Sequence, residues 1–215
     1  MKVLGLDPSL TNFGWAIEDT EAEPLGRCLA RGRFQTSSKT LYISRYRDLR
    51  ERLRGLIREH DPDKVSVEYP VFNDLWSEGM YGLFLFTSEA ILLEKKDVVF
   101  FSPGQLKAHA RHFLDRPKGW KMMKPDMVEA AKEHAGGKGR WNHNEADGYW
   151  AAVAGGRFWH LLEGLITMDD LTPAETQQFT KIHTFLRGKK AGKTVKSGIL
   201  YREDERFFRW SEESD

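Results

Sequence analysis

Three carboxylates stand where strand or helix patterns end or begin. Asp7 closes the apolar run Val3-Leu4-Gly5-Leu6, Glu68 closes "KVSVE", and Asp147 opens the helical pattern of "WNHNEADGYWAAVAG". A carboxylate at the end of a buried strand is costly alone, so each needs an arginine, a hydrogen bond or a metal ion. Two such groups at neighbouring strand ends repel unless they share a cation or a proton. Each acid also has a local role open to it. Asp7 can cap a turn before Ser9 and Thr11, and Glu68 can pair with an arginine. Asp147 can serve the helix start, with Asn144 as N-cap and Glu145 near the positive end of the helix dipole. Together, on these elements, the three favour one shared site.

The elements that must position them follow from periodicity. Residues 2–7 read as a buried strand, 13–19 as its hairpin partner and 27–34 as a mixed edge strand. Leu41, Tyr46, Leu49, Leu53, Leu56 and Ile57 recur at helical spacing over 41–59, and Asp61-Pro62-Asp63 stops that helix. Strands at 64–70 and 97–103 alternate with helices at about 80–95, 104–113, 126–135 and 144–164. Three strands followed by helix-linked strands predict an α/β fold. It is a mixed sheet, an antiparallel three-strand meander plus two parallel strands, flanked by helices. In an open α/β sheet, ligands gather beyond the carboxyl ends of the strands. Residues 165–215, with Lys189, Lys190, Lys193 and Lys196 before an aromatic and acidic end, read as a C-terminal basic and aromatic appendage to a domain spanning 1–164.

Bulk composition narrows the classes. The 215 residues are 40% hydrophobic, enough for an ordinary core, and the net charge of +1 exerts no global pull on nucleic acid. One cysteine, Cys28, excludes an intrachain disulfide and a multi-cysteine zinc site. No apolar run approaches the roughly 20 residues of a membrane helix, and the first residues lack the pattern of a signal peptide. The expectation is a soluble protein of the cytoplasm, in a bacterial or phage-infected cell, with no membrane partner.

The segments around the acids resemble those of the RuvC family of Holliday-junction resolvases, within the ribonuclease H-like superfamily, and most of all its phage-encoded members. "GLDPSLTNFGWA" is similar to the family's first motif and "VSVEYPVF" to its second. "FSPGQLKAHA" with "KMMKPDMV" places Lys107 and Lys124 in the lysine positions, and "NEADGYWAAVAG" is similar to the closing helix. The likeness covers residues 1 to about 163. It implies a ribonuclease H-like fold and a metal-dependent crossover junction endodeoxyribonuclease, active in DNA recombination and repair. Asp7, Glu68 and Asp147 would hold two Mg²⁺ ions (Mn²⁺ being the other option), with Asp7 bridging. Such a pair, ~3.5–4 Å apart, clamps the attacking and leaving oxygens of an in-line phosphodiester hydrolysis. The family has a further ligand, Asp or His, three residues before the helix acid. Here that place is Asn144, between His143 and Glu145, and the fourth ligand is left among these three.

DNA contacts require local positive charge. Lys107, His109, Arg111, His112, Arg116, Lys118, Lys121 and Lys124 form the densest basic stretch outside the tail. Of these, Lys107, Arg111, Lys118 and Lys121 are taken as backbone contacts, and Lys124 as a group steadying the transition state. Phe72 and Trp76 are candidates to stack at an open junction. The apolar strip "SEGMYGLFLFTSEAILL" suits a dimer helix, and a homodimer matches the twofold symmetry of a four-way junction. Three other readings are weighed. One is a nuclease of forks, flaps or other branched DNA. Another is a catalytically silent ribonuclease H-like module that binds DNA. The third, an actin-like ATPase or sugar kinase, would need a second glycine-rich phosphate loop, which the sequence lacks.

Overall fold

The computed structural model describes all residues except 23–26, 70–77, 118, 138, 180–181, 185–193, 197–198, 202–206 and 210–215. Phe72, Trp76 and Lys118 lie outside the described residues, as do Lys189, Lys190 and Lys193.

The chain opens with β1 (Lys2–Asp7), β2 (Asn12–Asp19) and β3 (Cys28–Gln35), followed by α1 (Tyr42–His60) and β4 (Lys64–Glu68). Next come α2 (Glu78–Leu93), β5 (Asp97–Phe101), α3 (Pro103–Phe113), α4 (Lys124–His134) and α5 (His143–Leu162). The meander is antiparallel, β4 runs parallel to β1, and β5 runs parallel to β4. These five strands form the mixed sheet expected from the sequence.

Side-chain parity gives the two faces different covers. Leu4, Leu6, Ile17, Val65 and Val67 point to one face, where α1 lays down Leu49, Leu53, Leu56 and Ile57 beside Leu83 and Ile91 of α2. Gly5, Asp7, Gly14, Ser66 and Glu68 point to the other face, and α5 crosses it. This helix is rich in Gly and Ala because it lies almost on the backbone of the sheet. A Cβ on Gly5 would strike the carbonyl of Gly148 and the backbone of Ala152. One on Gly14 would strike the backbone of Asn144, and one on Gly155 would meet Ser66 Cβ at 2.5 Å.

Packing continues past residue 164. Helix α6 (Pro173–Phe179) puts Phe179 into a buried cluster, with ring centroids 6.1 Å from Phe101 and 5.6 Å from Phe158. Glu175 is buried and accepts from Arg157 Nε of α5 at 2.7 Å, with His109 Nε2 of α3 at 3.4 Å. Two short strands, β6 (Ile182–Thr184) and β7 (Thr194–Lys196), pair with each other. Then β8 (Ile199–Tyr201) joins β5 antiparallel, and β9 (Phe207–Arg209) joins β8. The sheet order is therefore β3-β2-β1-β4-β5-β8-β9.

A buried acid also sits away from the strand ends discussed above. Glu18, near the end of β2, is 4% exposed, and burial pushes its carboxyl up to about 8, with Asp19 adding and Arg27 opposing. It lines a cavity of about 160 Å³ with Thr20, Arg27, His134 and His160.

Candidate active site

Register places the first two acids. Leu6 pairs with Val67 across the parallel β1–β4 ladder, so Asp7 and Glu68, one step further, end adjacent strands side by side. Neighbouring strands lie about 4.8 Å apart, and paired residues share a face. Both carboxylates therefore stand on the rim beneath α5.

The third acid arrives on α5. Asn144, Gly148, Ala152 and Gly155 form its sheet-facing stripe, over Gly14, Gly5 and Ser66 in turn. Gly14 is the β2 partner of Asp7, so the first turn of α5 sits beside Asp7. Asp147 flanks that stripe on the side of Ala151, Ala154 and Phe158, which pack with Val99 and Phe101 of β5. Its position on the helix thus leans toward β4 and Glu68.

Electrostatics agrees with this placement. The carboxyl of Asp7 is raised well above its usual range, by burial first and then by Glu68 and Asp147, while Lys124 opposes. Glu68 is pushed up to about 7 by burial and by Asp147, with Lys107 opposing. Burial lifts Asp147 to about 6 against the pull of Lys107 and Lys124. None of the three has a hydrogen bond or ion pair among the described residues, so nothing local satisfies them. This is a half-buried anion cluster with two exposed lysines at its margin.

The residues around the helix start divide differently from expectation. The N-cap is Asn142, not Asn144: its side chain accepts from the N–H of Glu145 at 3.0 Å, and its own N–H donates to the Glu145 carboxylate at 3.3 Å. The reason is spacing, since Asn142-x-x-Glu145 forms a capping box. Glu145 is engaged further by Arg31 Nε at 3.3 Å, which commits it away from the acids. Asn144 is buried in the first turn with its backbone against Gly14. His143 is half-buried, and burial, Lys124 and Arg33 hold its imidazole below the usual range.

The basic stretch also divides. Among the described residues of the stretch, Lys107 and Lys124 are the cations whose charge bears on the acids. His109 is buried against Trp150 and faces Glu175, so it is not a surface contact. Arg116 pairs with Glu129 at 3.2 Å and lies over the Trp120 ring. Sequence reasoning missed Arg33. It is exposed on β3, paired with Gly14 and therefore in the same row as Asp7.

The donor set suits a hard divalent cation, which takes carboxylate oxygens and keeps several waters. Half-buried carboxylates that raise one another's proton affinity are also what a bound cation would relieve. Among the described residues, no three His, Cys, Asp or Glu side chains are gathered closely enough to hold an ion as they stand. Three anions with no cation between them repel, so a looser cluster is the arrangement expected of the side chains alone.

No protein-family profile matches the chain. Curated relatives do match in part. The crossover junction endodeoxyribonuclease RuvC of Erythrobacter litoralis is 33% identical over 66 residues, covering 31% of this chain and 40% of that protein. The RuvC of Alkaliphilus metalliredigens is 29% identical over 112 residues, covering 50% of this chain and 66% of that one. The chain thus spans less than half the length of the first of these relatives. The solved structure of Thermus thermophilus RuvC aligns at a TM-score of 0.60 and 18% identity, over 76% of this chain and 97% of that one. The same protein in complex with a Holliday junction substrate aligns at 0.58 and 19%, over 71% and 90%. The likeness shows the fold, which is ribonuclease H-like. The resemblance read from the motifs and the names of these relatives point the same way. Among the described residues, no helix is long and apolar enough to cross a membrane.

Proposed function

We propose that this chain is a RuvC-type, divalent-metal-dependent endonuclease that cuts branched DNA, with four-way junctions as its main substrate. The observation that carries the reading is the convergence of Asp7, Glu68 and Asp147 from two parallel strand ends and a helix start, with Lys107 and Lys124 beside them. The acids would hold the ions, with Mg²⁺ or Mn²⁺ the fitting metals and two per site the family's number. Bound there, such ions supply Lewis-acid stabilisation of the charge that develops on a phosphodiester.

The remaining chemistry belongs to the chain. Lys107 and Lys124 draw a backbone phosphate toward the acid cluster and fix its non-bridging oxygens. Asp7 and Glu68 each feel the charge of Asp147 and of one another. The deep seat of α5 on Gly5 and Gly14 fixes Asp147 relative to the strands, so positioning is built before substrate arrives. Phe72, Trp76 and Lys118 remain in the proposal as junction contacts, as do Arg111 and Lys121. His143 and Asn144 remain as candidates for the fourth ligand.

The partner would be a second copy of this chain. Tyr81 and Leu85, one helical turn apart on α2, are 51% and 48% exposed. A twofold dimer across this face would present two sites to the two opposed strands of a junction.

The test is nicking of a synthetic four-way junction, compared with a fork, a flap and plain duplex, with Mg²⁺, Mn²⁺ or EDTA. Wild type should cut the junction only with metal, and Asp7→Asn should not cut. Cutting by neither protein refutes the enzyme. One feature favours a second reading, a silent DNA-binding module: by the motif resemblance, Asn144 stands where the family has Asp or His. Junction binding without cutting would establish it.

A further inference from the structure

We propose that Arg33 of the edge strand β3 is a phosphate-binding residue, and that the DNA strand leaves the acid cluster past the start of α5 toward β3, on the side away from Lys107. This rests on the nuclease reading above and extends it to the path of the strand.

The row of paired residues makes the case. Arg33 pairs with Gly14, Gly14 pairs with Asp7, and Asp7 lies beside Glu68. All four therefore share one face, and Arg33 stands two strand spacings, about 10 Å, from Asp7. Gly14, between them, is roofed by the first turn of α5 at Asn144, so a strand that joins the two passes along the rim at the start of that helix. Lys107 is on α3, which follows β5, so it lies at the other end of the row. The acids are thus flanked by a cation on each side, as a polyanion crossing the rim requires.

Arg33 is also free to bind. It is exposed and has no acid partner or hydrogen bond among the described residues. Its neighbour two residues back, Arg31, is occupied: it pairs with Glu145 and stacks on the Trp141 ring at 4.0 Å. Beyond Arg33 the same face stays polar, with Gln35 donating to the Asn12 side chain at 3.2 Å. Arg33 is close enough to the start of α5 for its charge to bear on His143.

The experiment measures the affinity of the full-length protein for a labelled four-way junction in EDTA across a KCl series. Wild type, Arg33→Gln, Arg33→Lys and Arg52→Gln are compared, the last being an exposed arginine of α1 on the opposite face of the sheet. Loss of one phosphate contact should lower the slope of log affinity against log salt by about 1. Arg33→Gln should show that loss, Arg33→Lys should restore the slope, and Arg52→Gln should match wild type. An Arg33→Gln slope equal to that of wild type overturns the proposal and leaves the nuclease reading standing. A wild type with no salt-dependent affinity for the junction overturns both.

Discussion

Replacing Asp147 by Asn should make the metal-free protein more stable while abolishing cleavage. Burial holds the Asp147 carboxyl at about 6 against an ordinary 3.8. The difference is about 2.2 units, which at 1.36 kcal/mol per unit is about 3 kcal/mol. The sign follows from proton binding. Between pH 3.8 and 6 the folded state holds the proton more tightly than the unfolded state, so wild-type stability falls as pH rises through that window. Above about pH 7 the full penalty is present and constant. The amide has no charge to desolvate, so the variant escapes it. Relaxation of the carboxylate toward Lys107 and Lys124 lowers the gain, leaving about 1–3 kcal/mol, or roughly 2–10 °C in Tm for a chain of this size. Thermal unfolding in EDTA at pH 8 and pH 4.5 measures it: the gain should be larger at pH 8. Millimolar Mg²⁺ should then raise the Tm of wild type more than that of the variant. A variant less stable than wild type at pH 8 in EDTA refutes the reasoning, because Asp147 would then be serving the helix start and not an ion site.

Three other outcomes are expected. Glu18→Gln should flatten the pH dependence of stability between about pH 5 and 8, since the buried carboxyl near 8 makes wild type lose stability with rising pH by up to about 1.4 kcal/mol per unit; urea midpoints across that range read the difference, and parallel curves would contradict it. Gly5→Ala should cost about 1–3 kcal/mol by forcing α5 off β1, and should reduce nicking because Asp147 travels with the helix; urea titration and a junction assay below the unfolding midpoint separate the two effects. Leu85→Lys should convert a dimer to a monomer in sedimentation without lowering Tm, since this side chain is about half exposed in the single chain.

Periodicity made most of the ribonuclease H-like fold legible. Alternation in β2, the apolar runs of β1, β4 and β5, and the helical spacing of α1 sufficed for the mixed sheet and its helices. The helix start was less legible because two asparagines compete for the cap; the Asn142-x-x-Glu145 spacing was the signal that decides it. The same kind of signal, Thr172-x-x-Glu175 with a proline between, announced α6, whose Glu175 and Phe179 are buried. It was obscured by the polar composition of its surroundings. His109 read as one more surface cation, because its burial depends on α6 arriving from sixty residues later. Arg33 was unreadable for another reason: its importance comes from register, and only the pairing with Gly14 and Asp7 places it in the row of acids.

The mounting of Asp7 also constrains how such a protein can change over time. Substitution within β1 is a graded hazard, since one hydrophobic residue can stand in for another. Deleting or inserting a single residue between Val3 and Asp7 is not graded. It would rotate the strand by half a period, drive the carboxylate in among the leucines of α1, and turn an apolar side chain up under α5. Lineages descended from this chain can therefore drift in the chemistry of that strand, but its length is fixed.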